Sequence, residues 1–261
     1  MPRLRQAALV AAALLLVALV GAPLLGLALA TSPADLRDGL SQPLVYQALR
    51  LSLLTTAISL AVTVLLGTPL AWLAATRHTR WVRAAEVVVQ LPAVIPPAVA
   101  GIALLLAFGR HGLLGGALAR AGLAVPFSTA AVVLAEVFVS CTFYVQAATA
   151  AFRQVDRAHA QVARTLRATP WQAFAQVTLP LALPGILAGA AMAWSRALGE
   201  FGATLLFAGN LPGRTQTLPL AMYAALESDV RAAQALALVL VAIACITLFA
   251  ARRFARSASW R

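Results

Sequence analysis

The 261-residue sequence predicts an all-α, polytopic membrane protein with six transmembrane helices. Three observations carry that reading: too few charges for a water-facing surface, six apolar runs of bilayer length, and arginines concentrated in alternate connections. The chain is 62% hydrophobic and 11% charged, against about 25% charged in a soluble domain. Its natural solvent is lipid.

A helix crosses the hydrocarbon core with about 20 apolar residues. Six stretches meet that length: Ala7–Ala30, Ala48–Thr76, Ala84–Phe108, Thr129–Phe152, Leu181–Ala208 and Ala232–Ala251. Together they make one membrane domain over residues 1–261. The first is preceded by Arg3 and Arg5 and ends in Ala28-Leu29-Ala30, as a secretory signal would. A signal core has only about 7–15 apolar residues, so the run is read as a retained span.

The third stretch holds Pro92, Pro96 and Pro97 ahead of Gly101. Proline lacks the backbone donor and clashes with the preceding turn, so this span should kink or break. Such breaks persist where protein or a water-lined cavity covers the freed carbonyls.

The fourth and fifth stretches contain Glu136, Arg196 and Glu200. Charges at mid-membrane cost roughly 2.5–3.5 kcal/mol each and mark pathways or structural pairs. Arg196 and Glu200 are four residues apart on one helical face. They form either an ion pair that holds the bundle or the polar lining of an anion path. Glu136 also suits a helix–helix hydrogen bond. Gly199 and Gly202 flank Glu200 and allow close helix approach or a bend.

Orientation follows from arginine asymmetry. With the N-terminus inside, thirteen arginines are cytoplasmic: Arg3, Arg5, Arg77, Arg80, Arg83, Arg153, Arg157, Arg164, Arg167, Arg252, Arg253, Arg256 and Arg261. Five are outside: Arg37, Arg110, Arg120, Arg214 and Arg231. Both termini are therefore expected in the cytoplasm.

Composition excludes several functions. The net charge of +12 lies in short arginine clusters between apolar runs, without the basic, aromatic-interleaved face of a nucleic-acid binder. There is no lysine, so no P-loop; any ATP is hydrolysed by another chain. Cys141 and Cys245 lie in apolar runs without metal-ligand spacing. His78, His111 and His159 fall in predicted loops and form no metal motif or catalytic set. No metal site, catalytic residue or cofactor is expected in this chain.

The connection from Arg153 to Pro180 carries helix signals. Asp156 is placed to cap a helix whose Val162 and Leu166 share a face. Thr169-Pro170-Trp171-Gln172 reads as a second start, with Thr169 as cap, Pro170 at the first position and Gln172 completing a capping box. Trp171 and Phe174 share a face, and Leu179-Pro180 is expected to end the segment. The element is either an amphipathic connector or a docking surface for a soluble partner.

Gln161-Val162-Ala163, then Arg167-Ala168-Thr169-Pro170, and finally Leu179-Pro180, resemble the EAA loop of ABC-importer permeases. That loop reads Glu-Ala-Ala, three residues, Gly, and later a hydrophobic-x-Leu-Pro. Here Gln161 replaces the Glu and Arg167 the Gly. The Gly would supply the left-handed residue that ends the first helix, and arginine there costs on the order of 1 kcal/mol.

Leu91-Pro92, Pro96-Pro97, Gly101, Phe108-Gly109-Arg110 and Gly112 resemble the molybdate branch of these permeases. So do Arg196-Ala197-Leu198-Gly199-Glu200-Phe201-Gly202-Ala203-Thr204 and Asn210–Pro219. The resemblance covers about Leu51 to Leu240.

It implies a type I ABC-importer permease fold in the bacterial inner membrane, working as a homodimer. It also implies a cytoplasmic ABC ATPase carrying ATP and Mg, and an extracytoplasmic molybdate-binding protein. The loop residues named above would couple to the ATPase. Pro96, Pro97, Arg196, Gly199, Glu200 and Gly202 would line the path. Thr215, Gln216 and Thr217 would help receive the binding protein; by composition alone that loop is a connector rich in turn formers. Tungstate, sulfate or thiosulfate fit the same architecture. A secondary transporter would need no ATPase, and no internal repeat of the kind such transporters carry is evident.

Overall fold

The computed structural model describes residues 2–258. Met1 and residues 259–261, Arg261 among them, lie outside the described residues, as do the side chains of Arg3, Arg5, Arg157, Arg252 and Arg256. Among the described residues the fold is helical throughout, without strands.

The order is α1 (Pro2–Ala30), α2 (Pro33–Ser41), α3 (Pro43–Thr76), α4 (Arg80–Val94), α5 (Pro97–Phe108), α6 (Gly115–Arg120) and α7 (Thr129–Gln154). There follow α8 (Arg157–Thr165), α9 (Pro170–Ala173), α10 (Leu179–Leu198), α11 (Gly202–Ala208), α12 (Leu218–Ser228) and α13 (Val230–Ala258). Among the described residues, five helical stretches are long and apolar enough to cross a membrane: Ala8–Ala30, Pro43–Thr76, Thr129–Gln154, Pro170–Leu198 and Val230–Thr247.

The expected third span is present in two pieces. Helix α4 ends at Val94, Pro96 caps the next helix, and Pro97 opens α5. Neither proline can donate into a continuing helix, so the break falls where the sequence places it.

The fifth span departs from expectation at both ends. It does not begin at Leu181: α9 runs through a π turn, Phe174–Thr178, directly into α10. Leu179-Pro180 therefore does not end the preceding segment. Pro180 lacks an N–H and crowds the carbonyl four residues back, and the wider π turn just before it accommodates both. Nor does the span reach Ala208 unbroken. Helix α10 stops at Leu198, residues 199–201 are non-helical, and α11 resumes at Gly202.

Helices α2, α6 and α12 are short additions in the connections. The start of α2 is a capping box, in which the Ser32 hydroxyl accepts from Asp35 N–H and Asp35 accepts from Ser32 N–H. The Ser32 side chain also donates to that carboxylate at 2.6 Å. This bond, with the Ser32 backbone and Arg231, holds the Asp35 carboxyl below its ordinary value.

Helix α7 is the centre of the bundle and packs chiefly on α3 and α10, with α4, α11 and α5 around it. Small residues permit the close approach. A Cβ on Gly189 would lie 2.8 Å from Ala147 Cβ, and one on Gly67 2.9 Å from the Tyr144 ring. Tyr144, Ala148, Phe152, Ala182 and Ile186 fill the core at the end nearer the long connection of residues 153–180. Ala100, Leu104, Val132, Ala135 and Phe207 fill it at the other end. By contrast α1 presents its apolar surface outward from Ala8 to Ala30.

Candidate functional site

The break in the fifth span places its charge pair. Because α10 stops at Leu198, Glu200 sits in the gap and turns back over the start of α11. Its Oε1 accepts from Ala203 N–H at 2.8 Å, satisfying one orphan donor of the new helix. Its Oε2 lies 2.8 Å from Arg196 Nη1, a charge contact not aligned as a hydrogen bond. The Glu200 side chain is 1% exposed and that of Arg196 29%. One partner is sealed in the protein and the other is partly exposed.

The two breaks meet. A Cβ on Gly202 would stand 2.8 Å from Pro97 Cβ, and one on Gly101 would strike Leu206 and the Ala203 backbone. Pro96, Pro97 and Gly199 are exposed while Glu200 is buried. The sequence marks all of these residues separately; their juxtaposition is a tertiary fact. Discontinuous helices leave backbone groups at their ends without helical partners, which side chains such as Glu200 can answer.

Glu136 lies in the same interior. Thr55 donates to its Oε1 at 2.9 Å and Ser59 to its Oε2 at 2.7 Å. These bonds tie α7 to α3, as the helix–helix reading expects. The hydroxyls of Thr56, Thr63, Ser140 and Thr204 are buried without a protein partner. Sequence reading missed this polar row. Its signal was Ser52, Thr55, Thr56, Ser59 and Thr63 at helical spacing in an otherwise apolar span.

The outer-loop candidates are placed inward. Thr215, Gln216 and Thr217 are all buried. The Thr215 hydroxyl donates to Gly209 O and accepts from Leu211 N–H. The next residue, Leu218, donates its N–H to Ser52 Oγ at 2.7 Å. The exposed part of this loop is Leu211–Arg214.

In the long connection the capping signals are realised. Asp156 caps α8 through Ala158 N–H at 2.9 Å. Thr169 and Gln172 close the capping box of α9. Arg167 has φ 66°, so the left-handed position is filled by arginine. Two bonds complete a Schellman turn, Arg167 N–H to Arg164 O at 3.0 Å and Ala168 N–H to Ala163 O at 3.1 Å. Trp171 stacks on Phe174 with centroids 5.5 Å apart. Val162, Leu166 and Trp171 are 59%, 79% and 72% exposed, and Gln161 is exposed beside them. Three large apolar side chains thus stand exposed together on one polar loop.

Residues 67–259 match the family described as binding-protein-dependent transport system inner membrane component. A molybdenum transport system permease protein, ModB, of Mycobacterium bovis is 47% identical over 209 residues, covering 80% of this chain and 79% of that one. The protein of the same name from Escherichia coli K12 is 37% identical, over 81% of this chain and 93% of its own. Among solved structures, a bacterial ABC transporter importing the acidic polysaccharide alginate superposes with TM-score 0.76 at 16% identity, covering 97% of this chain and 95% of that chain. The MetNI methionine ABC transporter in an inward-facing conformation gives 0.66 at 19% identity, over 82% and 96%. Broken spans, a polar interior and an exposed loop are thus arranged on a type I ABC-importer permease fold, and the chain belongs to the family of inner membrane components of binding-protein-dependent transport systems.

Proposed function

We propose that this chain is the permease subunit of an ATP-driven molybdate importer and works as a single transmembrane domain. The observation that carries the substrate is the 47% identity, across four-fifths of both chains, to a protein named for molybdenum transport. Two copies form the path. A cytoplasmic ATPase, which holds the ATP and Mg, takes the patch of Val162, Leu166 and Trp171. Both termini are cytoplasmic.

The loop Gln161–Pro180 transmits the ATPase motion. Gln161, Val162 and Ala163 form the contact helix, while Arg167, Ala168, Thr169 and Pro170 fix the turn. The continuity of α9 with α10 supports this role, because a push on Trp171 passes through the π turn, past Leu179 and Pro180, along unbroken helix to Arg196, beside the break that holds Glu200. Pro96, Pro97, Gly199 and Gly202 frame the gate. Arg196 attracts the dianion and Glu200 keeps it from binding too tightly to leave. The loaded binding protein meets Leu211–Arg214, which Thr215, Gln216 and Thr217 hold in shape. ATP binding then shifts the population between inward- and outward-facing states according to their different affinities.

The test is cellular molybdenum, by elemental mass spectrometry, in cells lacking the gene. A deficit in trace molybdate that excess molybdate cures, with sulfur unchanged, is the expected result. Normal molybdenum in both conditions overturns the substrate and moves it to tungstate, sulfate or thiosulfate. Coupling is tested by Thr169→Pro and by deletion of Arg164–Trp171. Both variants are expected to insert normally yet lose the ATPase on co-purification and lose uptake.

A further inference from the structure

A second polar site lies nearer the coupling loop, away from the two helix breaks. Glu86 and Gln90 of α4 face Gln146, Thr149, Ala150 and Arg153 of α7 across a cleft of about 110 Å³. The two helices are pinned there by the Thr142 hydroxyl, which donates to Val89 O at 2.6 Å. Arg153 Nη2 donates to Ala74 O at 3.1 Å and to Glu86 Oε1 at 2.9 Å. Among the described residues its other guanidinium N–H groups have no protein partner.

Two features do not suit a merely structural cleft. Thr149 is 4% exposed and lines the cleft, and its buried hydroxyl has no hydrogen-bond partner. Gln90 and Gln146 are exposed, yet lie roughly 15 and 12 Å along their helices from the coupling-loop ends, at 1.5 Å per residue. Amides at that depth are not tolerated against lipid hydrocarbon, so this face borders water or protein.

Resting on the importer reading above, we propose that this cleft is a second station for a tetrahedral oxyanion on the coupling-loop side of the gate. The donors are Thr149 Oγ1, the free N–H groups of Arg153, and the amides of Gln90 and Gln146. All are donors such an anion accepts from. Glu86 is the only carboxylate lining the cleft and already holds Arg153. An entering dianion competes with it for the guanidinium, so the station binds weakly and releases readily, as conduction requires.

The test uses the full complex in inside-out vesicles, with both native cysteines replaced by alanine and Ala150→Cys introduced at the cleft wall. The probe is an anionic, membrane-impermeant methanethiosulfonate. The expected result is labelling that molybdate slows and chloride at equal ionic strength does not. Adding Thr149→Val is expected to raise the molybdate needed by about tenfold, the worth of one hydrogen bond to a charged group. Absence of labelling would mean that the face is covered by protein, and would overturn the proposal. So would labelling indifferent to molybdate and sulfate, or slowed equally by chloride. Gln146→Cys is read in the same way, so that one variant failing to assemble does not decide the matter. Protection by sulfate alone keeps the station and removes the molybdate reading. A molybdenum deficit in cells lacking the gene, with no protection here, removes the station alone.

Discussion

At the scale of single residues, the interior charges differ in what answers them. Glu200 has a guanidinium and a helix N-terminus, whereas Glu136 has two hydroxyls. Interhelical hydrogen bonds in membranes average about 0.6 kcal/mol, so Glu136→Ala should cost about 1–2 kcal/mol. Its two donors can also turn to backbone carbonyls, as Thr55 does to Ser52 O and Ser59 to Val133 O. Glu200→Ala strands Arg196 and uncaps α11, and should cost about 3 kcal/mol or more. Unfolding in mixed detergent micelles checks the order; equal losses would contradict it. Arg167 offers the opposite sign. Its φ of 66° costs an arginine about 1 kcal/mol and a glycine little. Arg167→Gly should therefore slow exchange of the Ala168 amide about fivefold, read by hydrogen exchange. The left-handed position was legible from the resemblance, and the structure keeps the turn with arginine in it.

At the scale of elements, contact distance between helices is set by the absence of side chains. Helix α10 lies so close to α7 that a Cβ at Gly189 meets Ala147 Cβ at 2.8 Å. Both atoms are rigidly attached to helices, so Gly189→Ala should cost about 1–3 kcal/mol by overpacking. Ala147→Gly in the same chain should return part of that loss. A double-mutant cycle of melting temperatures measures the coupling, and strict additivity would show that the helices are not held at this distance. The third and fifth spans show how far an element can be read from its residues. Pro96-Pro97 breaks a helix wherever it lies, so the first break was legible. The second falls at Gly199-Glu200-Phe201, which has no proline, and there a buried carboxylate takes over the capping of α11.

At the scale of the molecule, the arginine bias and the fold make one joint prediction about topology. A phosphatase reporter fused after Arg253 should be inactive, and one inserted at Gly116 between α5 and α7 should be active. The reverse pattern would invert the chain and put the patch of Val162, Leu166 and Trp171 on the wrong side for an ATPase. Helix α1 belongs to this scale as well. Its apolar surface is open from Ala8 to Ala30, so lipid or another chain is its neighbour.

By itself the sequence determined the solvent, the six apolar stretches, the break at Pro96-Pro97, and the caps of α8 and α9. Each of these depends on residues within a turn or two of one another, or on composition alone. The tertiary structure alone decided that the two broken spans meet at Pro97 and Gly202. It also decided that Thr55 and Ser59 answer Glu136 from 81 and 77 residues away, and that Thr215–Thr217 turn inward. It set Arg153 against Glu86, 67 residues away. The physical reason is that lipid rewards every apolar face alike, so hydropathy reports that a helix spans but not which neighbour it meets. That choice is made by small-residue contacts and buried hydrogen bonds, which exist only once the helices are packed.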